Sequence, residues 1–168
     1  MSLSTNSIFK KLIGVFSIAL SLTLLTGCGS GKTAATTQIK QVTDGVEGQS
    51  EKIKIRNLLI VKEDTGTAVL VATFVNWADD SDAITSISID NLPAVVTAKS
   101  LDLSKNSPII FVGEAANADA YVSNLAEVIG HRIPVTVTFA KASPVTLDAL
   151  IVAADGVYKD LTNLRAKA

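Results

Sequence analysis

Few side chains in this chain could do chemistry unaided. There is one cysteine, Cys28, one histidine, His131, and one methionine, Met1. That inventory excludes an internal disulfide, a cysteine-rich zinc site and any multi-histidine metal motif. His131 could act as the base of a hydrolytic triad, but no GxSxG nucleophile elbow accompanies it, and beside Arg132 it reads as a solvated turn histidine. Asp79, Asp80 and Asp82 crowd three carboxylates into four residues. A hard cation such as Ca²⁺ takes such oxygen ligands, yet the EF-hand glycine and its distal bidentate glutamate are missing, so the stretch reads as a polar hairpin turn. Trp77, the only tryptophan, heads that turn. A rigid ring removes much area from water at small entropic cost, so Trp77 is a candidate partner anchor, with Asp79 and Asp82 beside it; the same ring could equally cap a core.

The cysteine has the most telling surroundings. Residues 1–11 carry Lys10 and Lys11 and no acid, and Leu12 to Leu25 then run LIGVFSIALSLTLL without a charge. As a helix those 14 residues would reach about 21 Å, short of the roughly 30 Å hydrocarbon core, so the profile is that of a signal peptide rather than a permanent span. Leu25, Thr26, Gly27 and Cys28 close the leader and resemble the lipobox of bacterial lipoproteins. Small residues at Thr26 and Gly27 suit a peptidase groove that holds extended backbone, and only a thiol at Cys28 can become a diacylglyceryl thioether. Two or three acyl chains, at about 0.8 kcal/mol per buried CH₂, hold a protein on a bilayer where one would not. The expectation is a signal peptide over 1–27 and a lipidated Cys28 on the extracytoplasmic face of the cell membrane.

Residues 28–168 hold 13 basic and 16 acidic residues, net −3. This leaves no basic footprint for nucleic acid and no electrostatic attraction to anionic lipids, so acyl chains would do the holding. Gly29 to Ser50 is small and polar with four glycines and no sustained apolar period. It reads as a tether over 28–50, and its 22 residues, if flexible, reach about 25 Å root-mean-square. Gly29-Ser30-Gly31-Lys32 lacks the first glycine and the preceding strand of a phosphate loop, so it reads as spacer.

From Glu51 the composition shifts to β-branched residues in short runs bounded by Gly, Pro, Asn or Asp. Seven strands are expected: Ile53–Lys62, Thr67–Asn76, Ala83–Ile89, Ala94–Lys99, Pro108–Gly113, Ile133–Ala140 and Val145–Ala153. Val135, Val137 and Phe139 alternate with Thr136 and Thr138, the pattern of a strand with one wet face, whereas Ala68 to Val75 is apolar on both faces. Tyr121, Leu125, Val128 and Ile129 fall at helical spacing after a possible Asp119 cap. The spacing predicts an all-β, antiparallel two-sheet sandwich of immunoglobulin-like kind over 51–160, followed by a polar tail over 161–168.

Thr67 to Asn76 (TAVLVATFVN), then Asp79, Asp80, Asp82 and Ile84, then Leu125, Gly130 and the IPVTVTF run from Ile133 to Phe139, resemble the PCuAC-like proteins. These are bacterial periplasmic copper chaperones, grouped with actinobacterial lipoproteins of related sequence. The resemblance spans roughly residues 53 to 152 and implies a cupredoxin-like β-sandwich outside the cytoplasm, with a strand and then a turn over Tyr121 to Ile129. The family's copper site uses His and Met, and no position here matches a ligand: Met1 lies in the leader and His131 in a turn. The resulting expectation is a membrane-anchored, non-enzymatic binding module without a cofactor, whose partner is an envelope protein or the cell wall. The alternative is a copper-trafficking protein.

Overall fold

The strand residues pair largely where their alternation requires. The computed structural model describes residues 44–159; the leader, Leu25 to Cys28, most of the tether and the tail at 161–168 lie outside them. In chain order the strands are β1 (Val46–Ser50), β2 (Ile53–Lys62), β3 (Ala68–Asn76), β4 (Asp82–Ile89), β5 (Leu92–Pro93), β6 (Val95–Ala98), β7 (Asp102–Leu103), β8 (Ile109–Ile110), β9 (Ala118–Val122), β10 (Arg132–Phe139) and β11 (Val145–Ala153). A single 3₁₀ turn, Gly156–Tyr158, follows β11 among the described residues. The all-β class is observed.

The hydrogen-bonded path runs β5-β4-β10-β11-β2-β3-β9-β6, with β1 on β2, β7 on β4 and β8 on β3. The path is continuous because β11 changes partners along its length. Its first part pairs antiparallel with β10, and Ile151 to Ala153 then pair parallel with β2. Ala94 N–H donates to Ile87 C=O at 2.9 Å, drawing the start of β6 toward β4. The sheet therefore nearly closes on itself.

Phe74 sits at the centre, edge-on to Phe111 at 5.6 Å and to Phe139 at 6.5 Å between ring centroids. Leu70, Ile60, Val135, Ile89 and Ile151 are fully buried around it. A bulge in β2 explains a second, smaller cluster. Register slips between Arg56 and Leu59, where Asn57 adopts the left-handed conformation (φ 51°) that asparagine tolerates. Before the bulge Ile53 and Ile55 face the core and Lys54 and Arg56 face out; after it Leu58 and Ile60 face in, and Leu59 and Val61 face out. Leu59, Val61 and Val71 pack on the outer face with Val112, Val152 and Tyr158. This is why the doubly apolar Ala68–Val75 segment is central: β3 has a core on each side.

Three expectations need correction. The pairing is not wholly antiparallel, because Ile151 to Ala153 run parallel to β2. The Asp79–Asp82 stretch is no hairpin turn, because β3 and β4 do not pair with each other and the chain crosses there from one part of the sheet to another. Val46 to Ser50 was assigned to the tether and is β1, paired with β2. Asp119, a possible helix cap on spacing alone, is buried within β9, and the strand followed by a turn that the resemblance implies over Tyr121 to Ile129 is what forms. No helix among the described residues is long and apolar enough to cross a membrane.

The register defines two ends. At one, which we call the Lys62 end, lie the β2–β3 hairpin, the β4–β5 turn, the loop from β9 to β10 and the exit of β11. At the other, the Trp77 end, lie the β1–β2 turn, the β3–β4 loop, β7 and the β10–β11 turn.

Candidate functional site

The β3–β4 loop is short, polar and held by side chains that come from the strands on either side of it. Asn76 closes β3 and is 1% exposed. Its Nδ2 donates to Asp80 C=O and to Leu103 C=O, each at 2.8 Å, and its Oδ1 accepts from Ala78 N–H at 2.8 Å. All the amide's polar atoms are engaged, so one buried side chain ties the loop to itself and to β7. Main-chain bonds add to this. Trp77 N–H donates to Lys52 C=O at 3.0 Å, and Asn106 N–H donates to Asn76 C=O at 2.8 Å.

Asp82 locks the far side of the loop. Its Oδ1 accepts from Ala83 N–H (2.7 Å) and Lys141 N–H (2.9 Å), and its Oδ2 accepts from Ala142 N–H (2.8 Å). Burial pushes this carboxyl up, but the N–H groups of Ala142, Ala83 and Lys141 outweigh it and hold the group below its ordinary value of 3.8. Lys141 Nζ donates to Ser81 C=O at 2.6 Å, so the β10–β11 turn and the β3–β4 loop grip each other from both sides.

Alternation across the end of β3 sends Asn76 inward and Trp77 outward. Trp77 remains 57% exposed. The Lys54 ammonium stands 5.8 Å from the ring centroid, within cation–π range, and also donates to Gln49 Oε1. Lys105 pairs with Asp79 beside it. On the inner side of the same backbone a cleft of about 190 Å³ is lined by Glu51, Lys52, Asn76, Asp80, Asp82 and Lys141. The end thus presents an aromatic plate on one side and a small polar cleft on the other, both on a loop with little freedom to move.

Of the residues singled out in the sequence, Trp77, Asp79 and Asp82 come together here. Their roles differ: Trp77 is presented to solvent, Asp79 is paired with Lys105, and Asp82 positions backbone. His131 lies at the opposite end, exposed, with Nδ1 at 3.2 Å from Glu127 Oε2. Cys28, Leu25, Thr26 and Gly27 lie outside the described residues. No group of three or more His, Cys, Asp or Glu side chains arranged to hold a metal occurs among the described residues. The residue that sequence reasoning missed is Asn76. Its only sequence signal is an amide ending an otherwise apolar strand just before Trp77.

No family model matches the chain, and no curated protein matches it. Solved structures do. A structure described as the copper-bound PCuAC domain from PmoF2 superimposes with a TM-score of 0.54 at 23% identity, covering 64% of this chain and 97% of that one. The apo PCuAC domain from PmoF1 superimposes with a TM-score of 0.53 at 22% identity, covering 64% and 98%. The likeness establishes a PCuAC-like fold. The chain's one imidazole lies beside a carboxylate at one end, and Asp82 at the other is taken up by backbone N–H groups.

Proposed function

We propose that this chain is a lipid-anchored lipoprotein on the extracytoplasmic face of the cell membrane, whose β domain is a non-enzymatic binding module of the envelope with Trp77 as its contact. The nearly closed sheet is a sandwich of cupredoxin-like or immunoglobulin-like kind, folded over at β11. The observation that carries the binding reading is Trp77 at 57% exposure on a loop fixed by Asn76 and Asp82. A large ring already held in place gives up little entropy when a partner covers it, which is the usual character of an interface hot spot. The anchor reading rests on Leu25-Thr26-Gly27-Cys28 closing a charged-then-apolar leader.

Two measurements test this. Mass spectrometry of the membrane-bound protein should find an acylated Cys28 at the mature N-terminus; an unmodified thiol on a correctly cut chain would sink the anchor. Crosslinking in cells with the lipidated protein as bait should recover an envelope component in a Trp77-dependent way. Equal recovery by Trp77→Ala would remove the binding reading.

A copper-trafficking role is the second reading, supported by the fold shared with a copper-bound PCuAC domain. Competition against a tight Cu(I) chelator separates the two. The expected result is no stoichiometric retention by the domain; retention that His131→Ala abolishes would restore the copper reading.

A further inference from the structure

Trp77 stands at the end of an open stretch of sheet whose other side chains are mostly polar. Alternation and pairing put Glu47 and Gln49 of β1, Lys54 and Arg56 of β2, Thr73 and Val75 of β3 and Ile110 of β8 on the outer face with it. Toward the middle of the domain this face is roofed, because Val112, Val152 and Tyr158 cover Leu59, Val61 and Val71. The open part therefore runs from Thr73 to Trp77, about 13 Å along β3, and across four strands, about 14 Å. It has one roofed end and one aromatic end.

Within that stretch an apolar plate is framed by hydrogen-bonding groups. The Lys54 ammonium stands over one face of the indole, 5.8 Å from the centroid, and the ring is 57% exposed, so its other face is open to a ligand. Val75 and Ile110 lie half-buried beside it. Gln49 accepts from Lys54 and donates to Glu51 C=O, Arg56 is paired with Glu47, and Lys105 with Asp79 on the loop beyond the ring. Donors and acceptors are thus both present, and each long side chain is steadied by its neighbour. Of the cations only Lys54 is bonded to an amide instead of a carboxylate. The face therefore carries little net field to draw in a polyanion or a strongly basic segment.

Size and chemistry together select the occupant. In plan the stretch measures about 180 Å², far below the about 800 Å² per partner that a folded protein interface uses. An extended peptide needs a strand edge to pair its backbone groups, and this is a sheet face. A pyranose ring presents C–H groups on its flat side and hydroxyls around its rim. Its slightly positive hydrogens suit the negative face of an indole, and its hydroxyls both donate and accept at a flanking amide, guanidinium and carboxylate. We infer that this face binds a neutral, β-linked glycan strand, with one sugar ring stacked on Trp77, the next over Val75, and Gln49, Arg56 and Glu47 taking hydroxyls. This deepens the binding-module reading and rests on it: Asn76 and Asp82 fix the loop, so the ring is set in place before the sugar arrives.

The test titrates the full chain, solubilised in detergent, with two probes, cellotetraose and chitotetraose. Binding of at least one is expected, with a blue shift of the Trp77 emission, and calorimetry follows the variants that lack the ring. Trp77→Ala should weaken binding at least about tenfold and Gln49→Ala or Arg56→Ala several-fold, while Trp77→Phe keeps most of it. His131→Ala, at the opposite end, should change nothing. Raising the salt concentration tenfold should leave the affinity in place, because the ligand is uncharged. No binding of either tetrasaccharide, binding that Trp77→Ala leaves intact, or binding that salt abolishes would overturn the inference. The binding-module reading fails separately. If neither glycan binds but crosslinking in cells still captures an envelope component through Trp77, only the glycan assignment falls; if that capture is also independent of Trp77, both readings fall.

Discussion

The two ends of this barrel-like domain expose different chemistry and are held by different means. At the Trp77 end, side chains do the holding: the buried Asn76 and the half-buried Asp82 between them engage six main-chain groups, and the exposed ring rides on what they fix. At the Lys62 end the loops are held mainly by main-chain bonds, Leu125 N–H to Gly66 C=O at 3.0 Å and Gly130 N–H to Ile151 C=O at 2.8 Å, while aliphatic side chains face solvent. A side-chain lock of this kind preserves a local shape. A rim of separate aliphatics offers exposed area without a fixed shape.

The sharpest way to break that contrast is to remove the lock. Asn76→Ala removes a side chain that is 1% exposed and leaves Leu103 C=O, in a buried bond, and Ala78 N–H and Asp80 C=O, in half-buried ones, without their partner. Stranded buried groups cost about 1–3 kcal/mol each where water cannot reach them, and part of the loop will relax, so a net loss of about 3 kcal/mol is expected. Urea unfolding measures it. A loss near zero would mean that main-chain bonds suffice at this end as at the other, and the contrast would disappear.

Asp82→Asn is gentler and carries a pH signature. An asparagine amide nitrogen turned toward Lys141 N–H or Ala142 N–H opposes donor to donor, and the charge-assisted character of the remaining bonds is lost, so about 2 kcal/mol should go. The folded carboxyl lies below its ordinary value of 3.8. Its contribution is therefore fully present above that value and is lost as pH falls through the folded one. Wild-type stability should drop over this acid range more steeply than that of Asp82→Asn. Parallel acid-unfolding curves would show that Asp82 does not act through its charge.

Much of the fold was legible in residue pattern, and the locks were not. β2 was expected over Ile53–Lys62 and is observed there, because a long apolar run between turn formers has few other uses. The Val135-Val137-Phe139 alternation likewise became β10, with those three side chains buried. β1 escaped notice because it reads VEGQS, with the look of a linker. Its Gly48 is explained only by tertiary packing, since a Cβ there would come within 2.6 Å of the Leu147 side chain, 99 residues away in sequence. β9 was obscured because Tyr121, Leu125 and Val128 also satisfy helical spacing, and four-residue spacing cannot distinguish a helix from a short strand followed by turns. At the site, Trp77 was visible as the one tryptophan at the head of a polar turn, with a partner anchor and a core cap equally open. Asn76 was not, because its meaning lies in Leu103, 27 residues on, and the partners of Asp82 at Lys141 and Ala142 lie about 60 residues on.

The smallest expected effect sharpens the comparison from the Lys62 side. Tyr158 packs over Leu59, Val61 and Val71 and donates to Asp44, just before β1. Tyr158→Phe keeps the ring and removes only the hydroxyl, so the apolar cover stays and one part-exposed hydrogen bond goes, for about 0.5–1 kcal/mol. Burial first, then the hydrogen bond and charge of Asp44, push the phenol above its ordinary value of 10.0. Because the folded value is raised, the contribution is fully present below 10.0 and is lost as pH rises through the folded value. Wild type should therefore converge on Tyr158→Phe in urea stability as pH rises above 10.0 through the folded value, from a small advantage at neutral pH. Hydrogen exchange should locate the change: protection falls at Val46 to Gly48, next to the released Asp44, and stays unaltered at Ala78 and Ala142 beneath the Trp77 loop. Loss of protection at both ends together would mean that they are one cooperative unit rather than two separately held surfaces.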